Sequence, residues 1–170
     1  IFNHCGSNIF RNDHADIAAG MHTLITAHRE AFGVEPLVLL ENHKDQSIST
    51  GSQMQAFWET LTDLHPGIAG LTGIALDPGH LHAVAKEDFA RSLRKIPPEA
   101  LKAFHIHSNL RPPSITDEVP WSEVFSVIRG LPERPCIKPL VYQKSRVAEA
   151  IAFCEEMLAA PEVKHAGPPA

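Results

Sequence analysis

Five short apolar runs recur along the chain at nearly even spacing, and most of them end in a residue that can ligate a metal. They are IFNH ending at His4, PLVLLE at Glu41, GLTGIALD at Asp77, KAFHIH at His107 and KPLVYQ at Gln143. The end residues are separated by 37, 36, 30 and 36 positions. A strand followed by a crossover helix needs about 30 residues or more. Strands joined in this way run parallel, so their C-terminal ends gather on one face of the sheet. That face is where α/β barrels carry their sites. The spacing therefore predicts an α/β fold, a (β/α)8 barrel of which this chain supplies about the last five βα units.

Composition is compatible with this and narrows the partners. The 170 residues include 44% hydrophobic and 21% charged side chains, with a net charge of −5, as in a folded globular domain. No basic run is present to track a phosphate backbone, which disfavours nucleic acid. Cys5, Cys136 and Cys154 are too few and too widely spaced for a disulfide framework or a CxxC metal site. A reducing, cytoplasmic setting is the simplest expectation. No apolar stretch of about 18 residues offers a membrane span. The chain opens at Ile1, inside a strand-like run. A full barrel takes about 250 residues, so three βα units are expected to precede Ile1 or to come from another chain. Residues 1–160 read as a single barrel domain and residues 161–170 as a flexible tail.

Periodicity places helices between the runs. One spans Asp13 to Phe32, with Asp13 as N-cap and Gly33 as C-cap, and a second is capped by Ser52 and stops at Pro66-Gly67. Asp77 leads into a loop, DPGHLH, and a helix follows around Glu87 to Lys95. Two further helices are expected near Ser122–Leu131 and from Val147 onward, with the last strand between them at Leu140–Tyr142.

Several residues could carry chemistry. A carboxylate at a strand end is either a solvated terminus or a placed ligand. For Glu41 the ligand is favoured, because Asn42 and His43 follow at once and Asp77 occupies the same place one unit later. Asp-Pro-Gly alone would be a turn. The His80 that follows is explained if Asp77 is a ligand and His80 reaches substrate or a second metal. His105 and His107 lie two apart on one strand and so share a face. One is expected to be a ligand and the other a neighbouring or substrate contact, and His107 is preferred because it lies nearer the strand's end. His4 is either a core or a second-site histidine. Arg111 is either a solvated loop arginine or a hold on a substrate oxygen. Carboxylates with one imidazole suit Mn²⁺, Mg²⁺ or Co²⁺, with Zn²⁺ also accommodated.

The segments FNHCGS, LLENHKDQ, IALDPGHLH and FHIHSN resemble the xylose-isomerase-like TIM-barrel superfamily. That superfamily holds sugar isomerases and epimerases, sugar-acid dehydratases and apurinic-site endonucleases. In its sugar epimerases a Glu, an Asp, a His and a final Glu on four successive strands bind one metal, Mn²⁺ or Mg²⁺ being the first expectation here. Glu41, Asp77 and His107 match the first three, and Gln143 stands at the fourth. The two Glu of such enzymes also move a proton beside the carbonyl, which implies Glu41 as acid/base. The resemblance further places His80 and Arg111 on substrate; His43 and His105 are further candidates for substrate binding, and His80 is a candidate for the second proton step. It implies a sugar or sugar phosphate as substrate and is compatible with a homo-oligomer. Gln143 is a departure, since an amide cannot accept the proton. Alternatives are a phosphodiester-cleaving endonuclease, a lyase or dehydratase, or a sugar-binding subunit without turnover. The ENHKD wording and the lack of a D-x-H pair after His107 favour the sugar branch over the endonucleases.

Overall fold

The computed structural model describes residues 2–4 and 13–161, with side chains from residue 13 onward. Strands β1 (Phe2–His4), β2 (Val38–Glu41), β3 (Thr72–Leu76), β4 (Leu101–Ile106) and β5 (Cys136–Pro139) form one sheet. All neighbouring pairs are parallel, and the sheet order is the order of the sequence. A doubly wound sheet would reverse that order at a switch point. A sheet that always steps the same way is the winding of a barrel.

The intervening helices are α1 (His14–Phe32), α2 (Gly51–Leu64), α3 (Pro78–Ala85), α4 (Phe89–Leu93), α5 (Trp121–Gly130) and α6 (Val147–Ala159). α1 begins and ends as its sequence signals require. Asp13 accepts from the Ala15 N–H, and Gly33 closes the helix at φ 69°, which suits a residue without Cβ. α2 starts two residues before the position expected from Ser52. Thr50 is the N-cap, and Gln53 completes a reciprocal capping box. The structure also shows why residue 51 is glycine. A Cβ there would lie 1.7 Å from the Ser92 carbonyl oxygen, so only glycine lets α2 approach α4.

Two expectations are corrected. The segment after Asp77 is a helix, not a loop: Asp77 caps α3 by accepting from the His80 N–H, and Pro78 takes the first helical position, where its missing N–H costs nothing. The region expected as a helix over Glu87–Lys95 is a 3₁₀ turn followed by the short α4.

Alternation along the strands sorts their side chains into two layers. Val38 and Leu40, Ile74 and Leu76, and Phe104 and Ile106 enter the main core, where Met21, Phe57, Phe89 and Phe125 pack from the helices. Each fully buried side chain of this size contributes about 1.5–3 kcal/mol. Leu39, Ala75 and Ala103 form a second, smaller cluster on the opposite face. That face carries Glu41, Asp77 and His105 two residues further along the strands. Both described cysteines are free thiols. Cys136 is exposed, and Cys154 is buried with its pKa pushed up to about 11 by desolvation and by Glu155. No helix among the described residues is long and apolar enough to cross a membrane.

Candidate metal centre and substrate cleft

The site is built at the C-terminal ends of β2, β3 and β4. Glu41 is the last residue of β2, Asp77 follows β3 directly, and His105 is the penultimate residue of β4. They are 8%, 2% and 2% exposed. One ligand atom from each of Glu41, Asp77 and His105 lies within 4.8 Å of the others. Two donors on one ion, each about 2.0–2.2 Å from it, stand at most about 4.4 Å apart. The three donors are therefore close enough together to converge on a single ion. Two buried carboxylates without a cation would be costly, and the donor set of two carboxylates and one imidazole suits a divalent metal. The residues present fit the ion that the resemblance implies.

His105 lies in this group, whereas His107, the histidine preferred from the sequence, lies against the Asp77 carboxylate alone. Both ring nitrogens of His107 are engaged. The Leu110 backbone N–H donates to His107 Nδ1 at 3.1 Å, which leaves Nε2 to carry the ring proton. Nε2 then donates to Asp77 Oδ2 at 2.9 Å. In this arrangement His107 orients the Asp77 carboxylate. His105 Nδ1 lies 2.7 Å from Glu41 Oε1, so its ring is fixed against the carboxylate at the end of β2, one strand beyond β3.

Asp77 is held from four directions. His107 bonds Oδ2, the His80 N–H bonds Oδ1 at 2.9 Å, and the backbone of residue 77 is gripped by Asn42. Burial alone would raise the Asp77 pKa, but the His107 hydrogen bond and the charges of His107 and His80 bring it below the ordinary value. Asp77 is therefore an anion throughout the neutral range. Asn42 is fully buried. Its Nδ2 donates to the Asp77 carbonyl at 3.1 Å, and its Oδ1 accepts from the Asp77 N–H at 2.7 Å. This two-armed bond pins the end of β3 to the end of β2. Sequence reasoning noted Asn42 only as a neighbour of Glu41. An amide directly after a buried strand, able to donate and accept at once, was the signal.

His43 and His80 stand against each other, ring centroids 4.1 Å apart. Burial lowers the His80 pKa, Asp77 and Glu41 pull it up, and the sum is a lowered value. His80 is neutral near pH 7 and can donate or accept a hydrogen bond. It lines a cavity of about 460 Å³ with Asp77, His107, Lys44 and Arg111, a size within the usual range of about 300–1,000 Å³ for small-molecule sites.

Arg111 reaches this cavity because the chain doubles back after β4. Ser108 and Arg111 form an isolated antiparallel bridge, and Asn109 and Leu110 between them have φ of 49° and 58°. This is the positive-φ pattern of a type I′ turn. A leucine held there costs about 1–2 kcal/mol. It is held by its N–H to His107 and by its carbonyl, which accepts from the Tyr142 N–H at 2.8 Å. The strained turn thus couples the orientation of His107 to the placement of Arg111.

Gln143 does not end the last strand. The ladder places β5 at Cys136–Pro139, not at the apolar run Leu140–Tyr142. Leu140 still donates to the Ile106 carbonyl, but Tyr142 already bonds Leu110 in the turn beyond β4, so the chain has left the sheet by then. Gln143 is exposed and lines a second cavity of about 250 Å³ with Tyr142 and Arg146. The two cavities adjoin, since Asn109 and Arg111 line both. His4 is the register partner of Glu41, and its side chain lies outside the described residues.

Solved structures with the same architecture include an L-ribulose 3-epimerase, with TM-score 0.65 and 15% identity over 85% of this chain. A D-allulose 3-epimerase from Methylomonas sp. gives TM-score 0.66 and 17% identity over 91% of it. A 3-keto-D-glucoside 4-epimerase from E. coli gives TM-score 0.62 and 13% identity, again over 91%. The chain has the fold of the xylose-isomerase-like TIM barrels. Its five strands are a part of that barrel, and the chain spans between 54% and 63% of the length of those three epimerase chains. No protein-family model and no curated protein sequence matches the chain. Glu41, Asp77 and His105 lie at the C-terminal ends of their strands.

Proposed function

We propose that the protein is a divalent-metal-dependent sugar or polyol isomerase or epimerase, moving a proton at a carbon beside a carbonyl. The single observation that supports this most is the convergence of Glu41, Asp77 and His105 at three successive strand ends. Sugar epimerases with the same fold lend it further support. Glu41, Asp77 and His105 would hold the ion, with Mn²⁺ or Mg²⁺ first in expectation. A bound divalent ion supplies polarisation of a carbonyl oxygen and a template for adjacent oxygens.

The remaining chemistry belongs to this chain's own residues. The Glu41 carboxylate takes the proton from the carbon next to the carbonyl. His107 keeps the Asp77 carboxylate oriented, and Asn42 keeps its backbone in place. Neutral His80 and the Arg111 guanidinium, both lining the cleft, bind substrate oxygens, and His43 supports His80 by ring contact. Residues 1–160 act as one barrel domain, and the substrate is a free or phosphorylated sugar.

The test is solvent exchange. The purified protein is incubated with Mn²⁺ and a panel of ketopentoses, ketohexoses and their phosphates in D₂O, and the carbons next to the carbonyl are followed by NMR. Deuterium is expected at one such carbon of a single sugar or a narrow group. Product formed without deuterium from solvent would contradict proton transfer.

A further inference from the structure

The inner face of the sheet carries two rows of side chains. The first is the apolar cluster Leu39, Ala75 and Ala103, and the register partner of Ala103 on β5 is Cys136. The second row lies two residues further along each strand: Glu41, Asp77 and His105. The register partner of His105 on β5 is Lys138, two residues beyond Cys136. Residues paired in a parallel ladder point to the same face. The intervening Ile137 packs on the outer core, so Lys138 is on the inner side. It is exposed, at the open margin of the row.

The geometry points to Lys138 as the fourth member of this row, a cation that sets how tightly the centre holds a divalent metal. This rests on the metal centre proposed above. An ammonium has three donors and no acceptor, so it cannot ligate an ion. Its charge opposes a divalent cation at the neighbouring imidazole and carboxylates. Metal affinity follows the charge count of the surrounding groups, so removing the cation strengthens binding, and an anion there strengthens it further.

The experiment is calorimetric titration of MnCl₂ into the wild-type 170-residue protein and its Lys138→Met, Lys138→Glu and Asp77→Asn variants. Thermal unfolding serves as the check on folding; Lys138 is exposed, and both substitutions there are expected to keep the fold. About a threefold tightening is expected for Lys138→Met and tenfold or more for Lys138→Glu, with loss of binding in Asp77→Asn. If Asp77→Asn loses the metal while both Lys138 variants bind as wild type does, the role of Lys138 is overturned and the metal centre stands. If no variant binds Mn²⁺, Lys138→Glu included, the metal centre falls and this inference with it.

Discussion

Replacing Glu41 with glutamine is expected to lower kcat by about 10²- to 10⁴-fold, the usual contribution of a positioned general base. The amide is nearly isosteric, so the fold is expected to survive. It retains an oxygen that can accept a hydrogen bond but no lone pair basic enough to take a proton from carbon. Glu41 is the right group to examine because it is buried at the end of β2 and held 2.7 Å from His105. The measurement is steady-state turnover together with the deuterium exchange described above, with circular dichroism as the check on folding. Exchange should fall in parallel with turnover. A variant that retains more than about a tenth of wild-type exchange, well above the range expected for loss of a general base, would remove Glu41 from that role.

The second large effect is on stability. Asn42→Ala removes both arms of the bond to residue 77. The Asp77 carbonyl keeps a partner, since it also accepts from the Leu81 N–H at 3.1 Å. The Asp77 N–H is left buried and unsatisfied, which costs about 1–3 kcal/mol, and the lost side-chain volume adds to this. A total near 2–3 kcal/mol corresponds to a fall in Tm of about 5–10 °C for a chain of this length. Ser52→Ala makes the comparison: Ser52 is exposed and is not the cap of α2, so a change within about 0.5 kcal/mol is expected. Equal Tm values for the two variants would show that the Asn42 clamp contributes little. Metal binding should weaken in Asn42→Ala as well, because the clamp positions one of the proposed ligands.

How far these residues were legible in the sequence follows from which physical signal each one carried. Strand spacing is set by the geometry of a βα unit, so the parallel order was readable from the five apolar runs. Glu41 and Asp77 were readable because a carboxylate closing an apolar strand is unusual enough to demand a partner. The helix after Asp77 was hidden by ambiguity, since Asp-Pro-Gly serves a turn and a helix start equally well. The different settings of His105 and His107 depend on where the ladder stops and on the Leu110 N–H. That N–H reaches His107 only because Asn109 and Leu110 adopt positive φ, and leucine gives no local cue for this. Lys138 was obscured for a related reason. An apolar run three residues long at Leu140–Tyr142 outweighed a strand whose inner positions, Cys136 and Lys138, are exposed at the sheet's margin. Register is a long-range property, and periodicity along one strand cannot supply it.

The central claim is that Glu41, Asp77 and His105 hold one divalent ion. The most direct test is equilibrium dialysis against Mn²⁺ with the metal quantified by mass spectrometry, comparing wild type with His105→Ala and His107→Ala. One ion per chain is expected in the wild type and none in His105→Ala. His107→Ala should still bind one ion, with weaker affinity because Asp77 is no longer aimed. A full equivalent retained by His105→Ala, or lost only in His107→Ala, would contradict the account.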